Sequence, residues 1–221
     1  MFVVFLGPDG AGKSTVIENL VREMAPVFRS HRVFHWRPML LWRRNNRAPT
    51  TNPHVHPKRS LWRSLAQLVA LVLDYGFGYW LLVRPLLGRS TLVVFDRYYH
   101  DLLIDPKRYR YGGPLWVVRL FSGLVPDPDL VFALDAPEAI ILSRKRELTA
   151  DELRRQRRVC LREAKKFTRA CVLDSSRPVQ ELSTLAAQEI AGYLNGRYTQ
   201  RNFSASAFTE HPCDPVHRQH G

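Results

Sequence analysis

Apolar, β-rich runs at Phe2 to Leu6, Thr91 to Phe95, Leu130 to Leu134 and Ala170 to Leu173 predict four strands, and Arg32 to His35 predicts a fifth. The first run stops at Gly7, and the last three stop at Asp96, Asp135 and Asp174. Between them the spacing turns helical. Val16, Leu20 and Met24 share one face over Lys13 to Met24, and Leu61 to Val83 is apolar and free of proline, which suits one or two helices packed on a sheet. Pro178 to Leu194 predicts a closing helix with its proline in the first turn. Strands alternating with helices predict an α/β fold, with a five-stranded parallel sheet covered by helices on both faces. Ligands of such sheets bind at the carboxyl ends of the strands, where Gly7 to Ser14, Asp96, Asp135 and Asp174 would gather.

Two stretches lack this patterning. Arg37 to Ser60 is a polar, proline-rich loop, long for a compact domain, and loops of that length are functional or mobile. Beyond Gly196 the chain is polar and unpatterned, so one domain over 1–195 and a disordered tail over 196–221 are expected. Leu65 to Val83 approaches bilayer length, but Gln67, Asp74, Gly76 and Gly78 interrupt it, so no transmembrane span is expected.

With 221 residues, 45% of them hydrophobic, the chain can bury a full core. Its 33 Lys and Arg against 20 Asp and Glu give a formal charge of +13, which attracts nucleic acid, anionic lipid or phosphorylated small molecules. The excess is local: no acid lies between Met24 and Leu73, where Arg29, Arg32, Arg37, Arg43, Arg44, Arg47, Lys58, Arg59 and Arg63 all fall. Cys160, Cys171 and Cys213 suggest neither a disulfide framework nor a zinc site. Met1 leads into the first apolar run without a basic leader, so a cytoplasmic protein is expected.

Gly7-Pro8-Asp9-Gly10-Ala11-Gly12-Lys13-Ser14 fits the phosphate-loop pattern G-x-x-x-x-G-K-[ST], with the required strand before it and helix after. Glycines let consecutive amides curl round phosphate oxygens, Lys13 would reach the β and γ phosphates, and Ser14 would ligate Mg2+. Gly7 to Thr15 is therefore the predicted ATP site. A carboxylate at Asp9 opposes polyphosphate and is expected to serve the acceptor, unless it merely forms an Asp-Gly turn. Asp96 places a carboxylate at a strand end, where Mg2+-bound water would sit, and the guanidinium of Arg97 suits bridging donor and acceptor phosphates, although a plain surface ion pair would also use it. The basic segment Ser143 to Arg158 reads as a short lid, from which Arg144 and Arg146 are the chosen catalytic arginines.

Gly7 to Thr15, Phe95-Asp96-Arg97-Tyr98-Tyr99, the PDLVFALDAPE stretch beginning at Pro128, and Leu173-Asp174-Ser175-Ser176-Arg177-Pro178 together resemble the thymidylate kinase family, in order and spacing. The resemblance implies a P-loop kinase fold, ATP with Mg2+ as donor, and dTMP as acceptor in nucleotide biosynthesis. By matching positions Asp9 would hold the acceptor sugar hydroxyl, Arg97 its phosphate, and the segment at Asp174 the adenine. Arg37 and Asp74 fall in the acceptor-binding segments, and those segments depart from the family. His35-Trp36-Arg37-Pro38 replaces Arg-Glu-Pro-Gly-Gly-Thr, Leu73-Asp74-Tyr75 lacks the thymine-reading arginine, and Pro106 to Gly113 replaces the elements that follow the Asp-Arg-Tyr.

Three readings follow from these observations. The leading one is phosphoryl transfer from ATP to a nucleoside monophosphate, dTMP foremost. The second keeps the kinase but changes the acceptor to a phosphorylated sugar or envelope precursor. The third is a nucleotide-switched module binding nucleic acid or an anionic membrane through the basic loop. Under the leading reading the partner is a small phosphate acceptor, no stable nucleic-acid complex is expected, and a homodimer is left open.

Overall fold

Alternate residues of the central strands face opposite layers, and this fixes the architecture. Phe2, Val4, Leu6, Val93, Phe95, Val131 and Ala133 belong to one buried cluster, whereas Val3, Phe5, Leu92, Val94, Leu130, Phe132 and Leu134 belong to the other. The structure, a computed structural model, describes residues 1–38, 57–144 and 148–202, and of residues 197–202 the backbone only. Its strands are β1 (Phe2–Leu6), β2 (Ser30–His35), β3 (Thr91–Asp96), β4 (Leu130–Asp135) and β5 (Ala170–Asp174). They form one parallel sheet in the order β2-β3-β1-β4-β5, so all five predicted strands are present and every carboxyl end lies along one rim.

Helices α1 (Lys13–Glu23) and α8 (Val179–Asn202) cover the face of Val3 and Phe5. The other face carries α2 (Leu61–Gly78), α4 (Asp101–Ile104), α5 (Leu115–Ser122) and α7 (Ala150–Ala164). Beyond α2 the helix does not stop at Val83. A five-residue π segment, Tyr79–Val83, in which the amide of Arg84 reaches the carbonyl of Tyr79, leads into α3 (Arg84–Gly88). Widening the turn there lets the helix run into Pro85, which cannot supply an amide. The last helix, α6 (Glu138–Arg144), follows β4.

Several expectations need adjustment. The closing helix runs past Leu194 to Asn202, so residues 196–202 are helical rather than disordered, a polar extension that no apolar periodicity announced. The remainder of the tail, 203–221, and the core of the long loop, 39–56, lie outside the described residues. Cys160 is a buried free thiol, but Cys171 of β5 is disulfide-bonded, against the expectation from spacing. The run Leu61–Gly88 is long and apolar enough to cross a membrane by length and composition. Its buried face, however, carries Leu68, Leu71, Tyr75 and Val83 into the core beside β1 and β3.

Candidate active site at the carboxyl rim of the sheet

The phosphate loop joins β1 to α1 as the pattern requires. Gly7 has φ +153°, and a Cβ there would stand 2.9 Å from the Leu134 carbonyl oxygen; Gly12, at φ +84°, opens the helix. No side chain caps α1, and its first turn holds no acid, so its leading amides remain available to an anion. Lys13 is buried, and its Nζ donates to the carbonyls of Gly7 (2.7 Å) and Pro8 (2.8 Å), which holds the ammonium inside the loop. Burial pulls its pKa down from the ordinary lysine value.

Beside the loop, Ser14 Oγ donates to Asp96 Oδ2 at 3.0 Å. Asp96 is itself buried, and its Oδ1 has no hydrogen-bond partner. A hydroxyl and a carboxylate with one oxygen unsatisfied fit a hard, oxygen-seeking cation that takes its other ligands from phosphate and water. A cleft of about 430 Å³ between α1 and β2 opens beside this pair, lined also by Glu18, Arg22, His31 and His35. Arg144, at the end of α6, donates from Nη1 to the Ser175 carbonyl (3.0 Å) and comes within 3.9 Å of a Cβ built on Gly12. Arg144 thus lies beside the phosphate loop, whereas Arg146 lies outside the described residues.

Most other arginines of the basic segment are tied to acids. Arg154 bonds Glu138 and Asp151, Arg155 bonds Glu152, and Arg157 bonds Asp135 at 2.6 and 2.9 Å. Asp135, although at a strand end, is thereby committed to α7. Asp174 is exposed, and its Oδ1 accepts from the amide and hydroxyl of Ser176 (3.0 and 2.6 Å), which shapes the turn after β5 rather than presenting a free carboxylate. Thr15 is exposed on α1, next to Ser14.

Within the loop, Asp9 receives hydrogen bonds from both Arg97 and Arg108. Burial alone would raise its pKa, but the charges of Arg97, Lys13 and Arg108 outweigh burial and hold the carboxyl far below the ordinary aspartate value. Arg97 also donates to Asp101 (3.0 Å), which accepts from the Tyr109 hydroxyl (2.5 Å). The Tyr109 ring lies against Trp36, with centroids 4.2 Å apart and planes 22° from parallel, and Arg37 sits over Trp36 at 5.4 Å. Arg37 Nε is 3.9 Å from the buried Asp74 carboxylate. Asp9, Arg97, Arg37 and Asp74 thus join one chain of contacts, but Arg108, Asp101, Tyr109 and Trp36 complete it. The sequence reading chose none of those four as a site residue; the alternation Arg108-Tyr109-Arg110-Tyr111 was the available signal.

Two members of this chain have strained backbones. Trp36 (φ 70°) and Arg97 (φ 76°) occupy the left-handed region just beyond the ends of β2 and β3. Their amides are held by the Asp96 carbonyl (2.9 Å) and the Phe5 carbonyl (3.0 Å), which aims both side chains along the rim.

No protein-family model matches the chain. It is 29% identical over 153 residues to a thymidylate kinase of Lactobacillus acidophilus, covering 66% of this chain and 68% of that enzyme. It is 28% identical over 162 residues to a thymidylate kinase of Leuconostoc citreum, covering 65% and 67%. Together with the five-stranded parallel sheet and its phosphate loop, these similarities indicate a phosphotransferase that resembles thymidylate kinases and is distant from both of those enzymes.

Proposed function

We propose that the chain transfers the terminal phosphate of ATP, with Mg2+, to the phosphate of a nucleoside monophosphate, dTMP first among them. The observation that carries this reading is the double arginine grip on Asp9, next to the buried Lys13. A hydroxyl acceptor needs a base, and a carboxylate held so strongly acidic takes a proton poorly. An acceptor phosphate is already an anion and needs only positioning and charge neutralisation.

Under this reading the loop amides and Lys13 hold the β and γ phosphates of ATP. Ser14 and Asp96 would hold Mg2+, which when bound would neutralise charge on the phosphates. Arg97, fixed between Asp9 and Asp101, presents its guanidinium to the acceptor phosphate. Arg144 closes over the loop from α6 and helps exclude water. A cytoplasmic location goes with this reading.

A second acceptor class has its own support. Trp36 and Tyr109 stack directly on each other and leave no gap between them for a base, and no arginine follows Asp74. A phosphorylated sugar would fit such a wall as well as a nucleotide does. The test is ADP release from ATP and Mg2+ with dTMP, other nucleoside monophosphates and sugar phosphates as acceptors. Stimulation by dTMP supports the first reading, and stimulation by sugar phosphates alone replaces it with the second. Stimulation only by acceptors without a phosphate would overturn both.

A further inference from the structure

Strand parity puts an unexplained histidine beside the candidate cation pair. β2 is an edge strand, and in its parallel register His35 lies opposite Asp96 of β3. Val33 packs in the same cluster as Val94, on the face that α1 covers, so alternation carries His35 and Asp96 to that face as well. Ser14 stands there at the start of α1. The Trp36 amide donates to the Asp96 carbonyl at 2.9 Å, which fixes the end of β2 against the end of β3. His35 opens the stretch, through Pro38, in which the chain departs from the thymidylate kinase pattern.

The distances give this imidazole a task. Asp96 Oδ2 is 3.0 Å from Ser14 Oγ and 3.4 Å from His35 Nδ1. The second separation is longer than a good hydrogen bond, and the His35 side chain is 75% exposed, so the contact adds little as an ion pair. Neighbouring donor atoms on an octahedral ion with bonds of about 2.1 Å, however, lie roughly 3.0 Å apart. Three donors near that spacing, two oxygens and a nitrogen, border the cleft between α1 and β2, and the buried Asp96 keeps a second oxygen without a hydrogen-bond partner. A ring nitrogen changes what such a site prefers. Mg2+ keeps to oxygen ligands and water, whereas Mn2+ and, more strongly, Co2+ accept imidazole in the same octahedral set.

We propose that His35 Nδ1 is a third protein ligand of the cation held by Ser14 and Asp96, and that it shifts this site's preference from Mg2+ toward Mn2+ and Co2+. The proposal rests on the reading of Ser14 and Asp96 as the cation pair of the nucleotide site. His35 would serve as the neutral imidazole, with its proton on Nε2 and Nδ1 free to donate its electron pair. His31 lines the same cleft from the same strand face. At about 3.3 Å per residue it stands about 13 Å back along β2, too far to share the ion.

The test uses the full chain with saturating ADP, Mn2+ as the paramagnetic probe and Mg2+ as its competitor. Electron paramagnetic resonance reads free Mn2+, and electron spin-echo modulation reads nitrogen coupled to bound Mn2+. Labelling the chain with 15N, with ADP left unlabelled, tells histidine from adenine. Wild type should show an imidazole 15N coupling that His35→Ala loses and His31→Ala keeps. His35→Ala should also weaken Mn2+ binding by about tenfold and leave the Mg2+ competition constant close to wild type. Both histidines are exposed, and circular dichroism checks that the variants fold. An equal loss for both ions would reduce His35 to a prop for Asp96 and overturn the proposal. So would bound Mn2+ without the 15N coupling, or wild-type Mn2+ affinity in His35→Ala, and in either case the nucleotide-site reading would stand. Failure of wild type to bind Mn2+ with ADP would sink that reading and the proposal together.

Discussion

The proposed donor and acceptor sides of the candidate site lie on one rim and are built in different ways. The donor side is one contiguous stretch, Gly7 to Ser14, that works through backbone amides and a lysine bonded to its own loop, with Asp96 added from the neighbouring strand. The acceptor side is a relay of side chains from five separated places: Asp9, Trp36 with Arg37, Asp74, Arg97 with Asp101, and Arg108 with Tyr109. Backbone recognition tolerates sequence change around it, because any residue except proline supplies an amide. Side-chain relays change whenever one member changes. This difference would let a chain keep a phosphate loop while the side chains around it diverge.

The sharpest way to break the comparison is Lys13→Ala. If the donor side serves every acceptor equally, ADP release should fall by about a thousandfold with each acceptor that stimulates it. A loss confined to one acceptor would mean that the two sides are not separable. Asp9→Asn should come next, lowering kcat/KM for the acceptor by about a hundredfold while leaving the Kd for ATP close to wild type, since it releases both arginines at once.

Asp9 also carries a pH signature. Its folded pKa is depressed, so its contribution to stability is complete above the ordinary aspartate value of 3.8 and is lost as the pH falls below it. The stability gap between wild type and Asp9→Asn should accordingly be wide at neutral pH and narrow in acid, as read by urea denaturation across pH. A gap independent of pH would show that the carboxylate is not held by the arginine charges.

Arg108→Ala keeps the Arg97 pair and should raise KM for the acceptor by about tenfold without altering ATP binding. An unchanged KM would reduce Arg108 to a structural partner of Asp9. The smallest effect is expected at Arg154→Ala on α7, whose exposed guanidinium bonds Glu138 and Asp151. Melting temperature and acceptor kinetics should stay within experimental scatter. A clear kinetic loss there would give the basic segment a part in closure that its ion pairs do not suggest.

Four of the strands were legible because their apolar runs, three of them ending in aspartate, are local signals, and Gly7 to Ser14 because its residues are contiguous. Helices α4 and α5 escaped the reading. Asp101–Ile104 is a single turn, and Leu115–Ser122 is too short and too apolar to show a period. The helical extension to Asn202 was missed because Asn195-Gly196-Arg197 reads as an ending, and helix geometry can persist without an apolar face. Arg108 was invisible for a different reason. It lies 99 residues from Asp9, and nothing in the intervening pattern says that the turn after α4 brings them together.

The left-handed backbone at Trp36 and Arg97 sets a bargain between durability and use. Strain of this kind costs about 1–3 kcal/mol per residue, and glycine would relieve it at either position. Glycine would also delete the ring that stacks on Tyr109 or the guanidinium that grips Asp9. Directed evolution of this chain for heat resistance alone should therefore drift toward glycine at 36 and 97, and selection for turnover should drive both positions back.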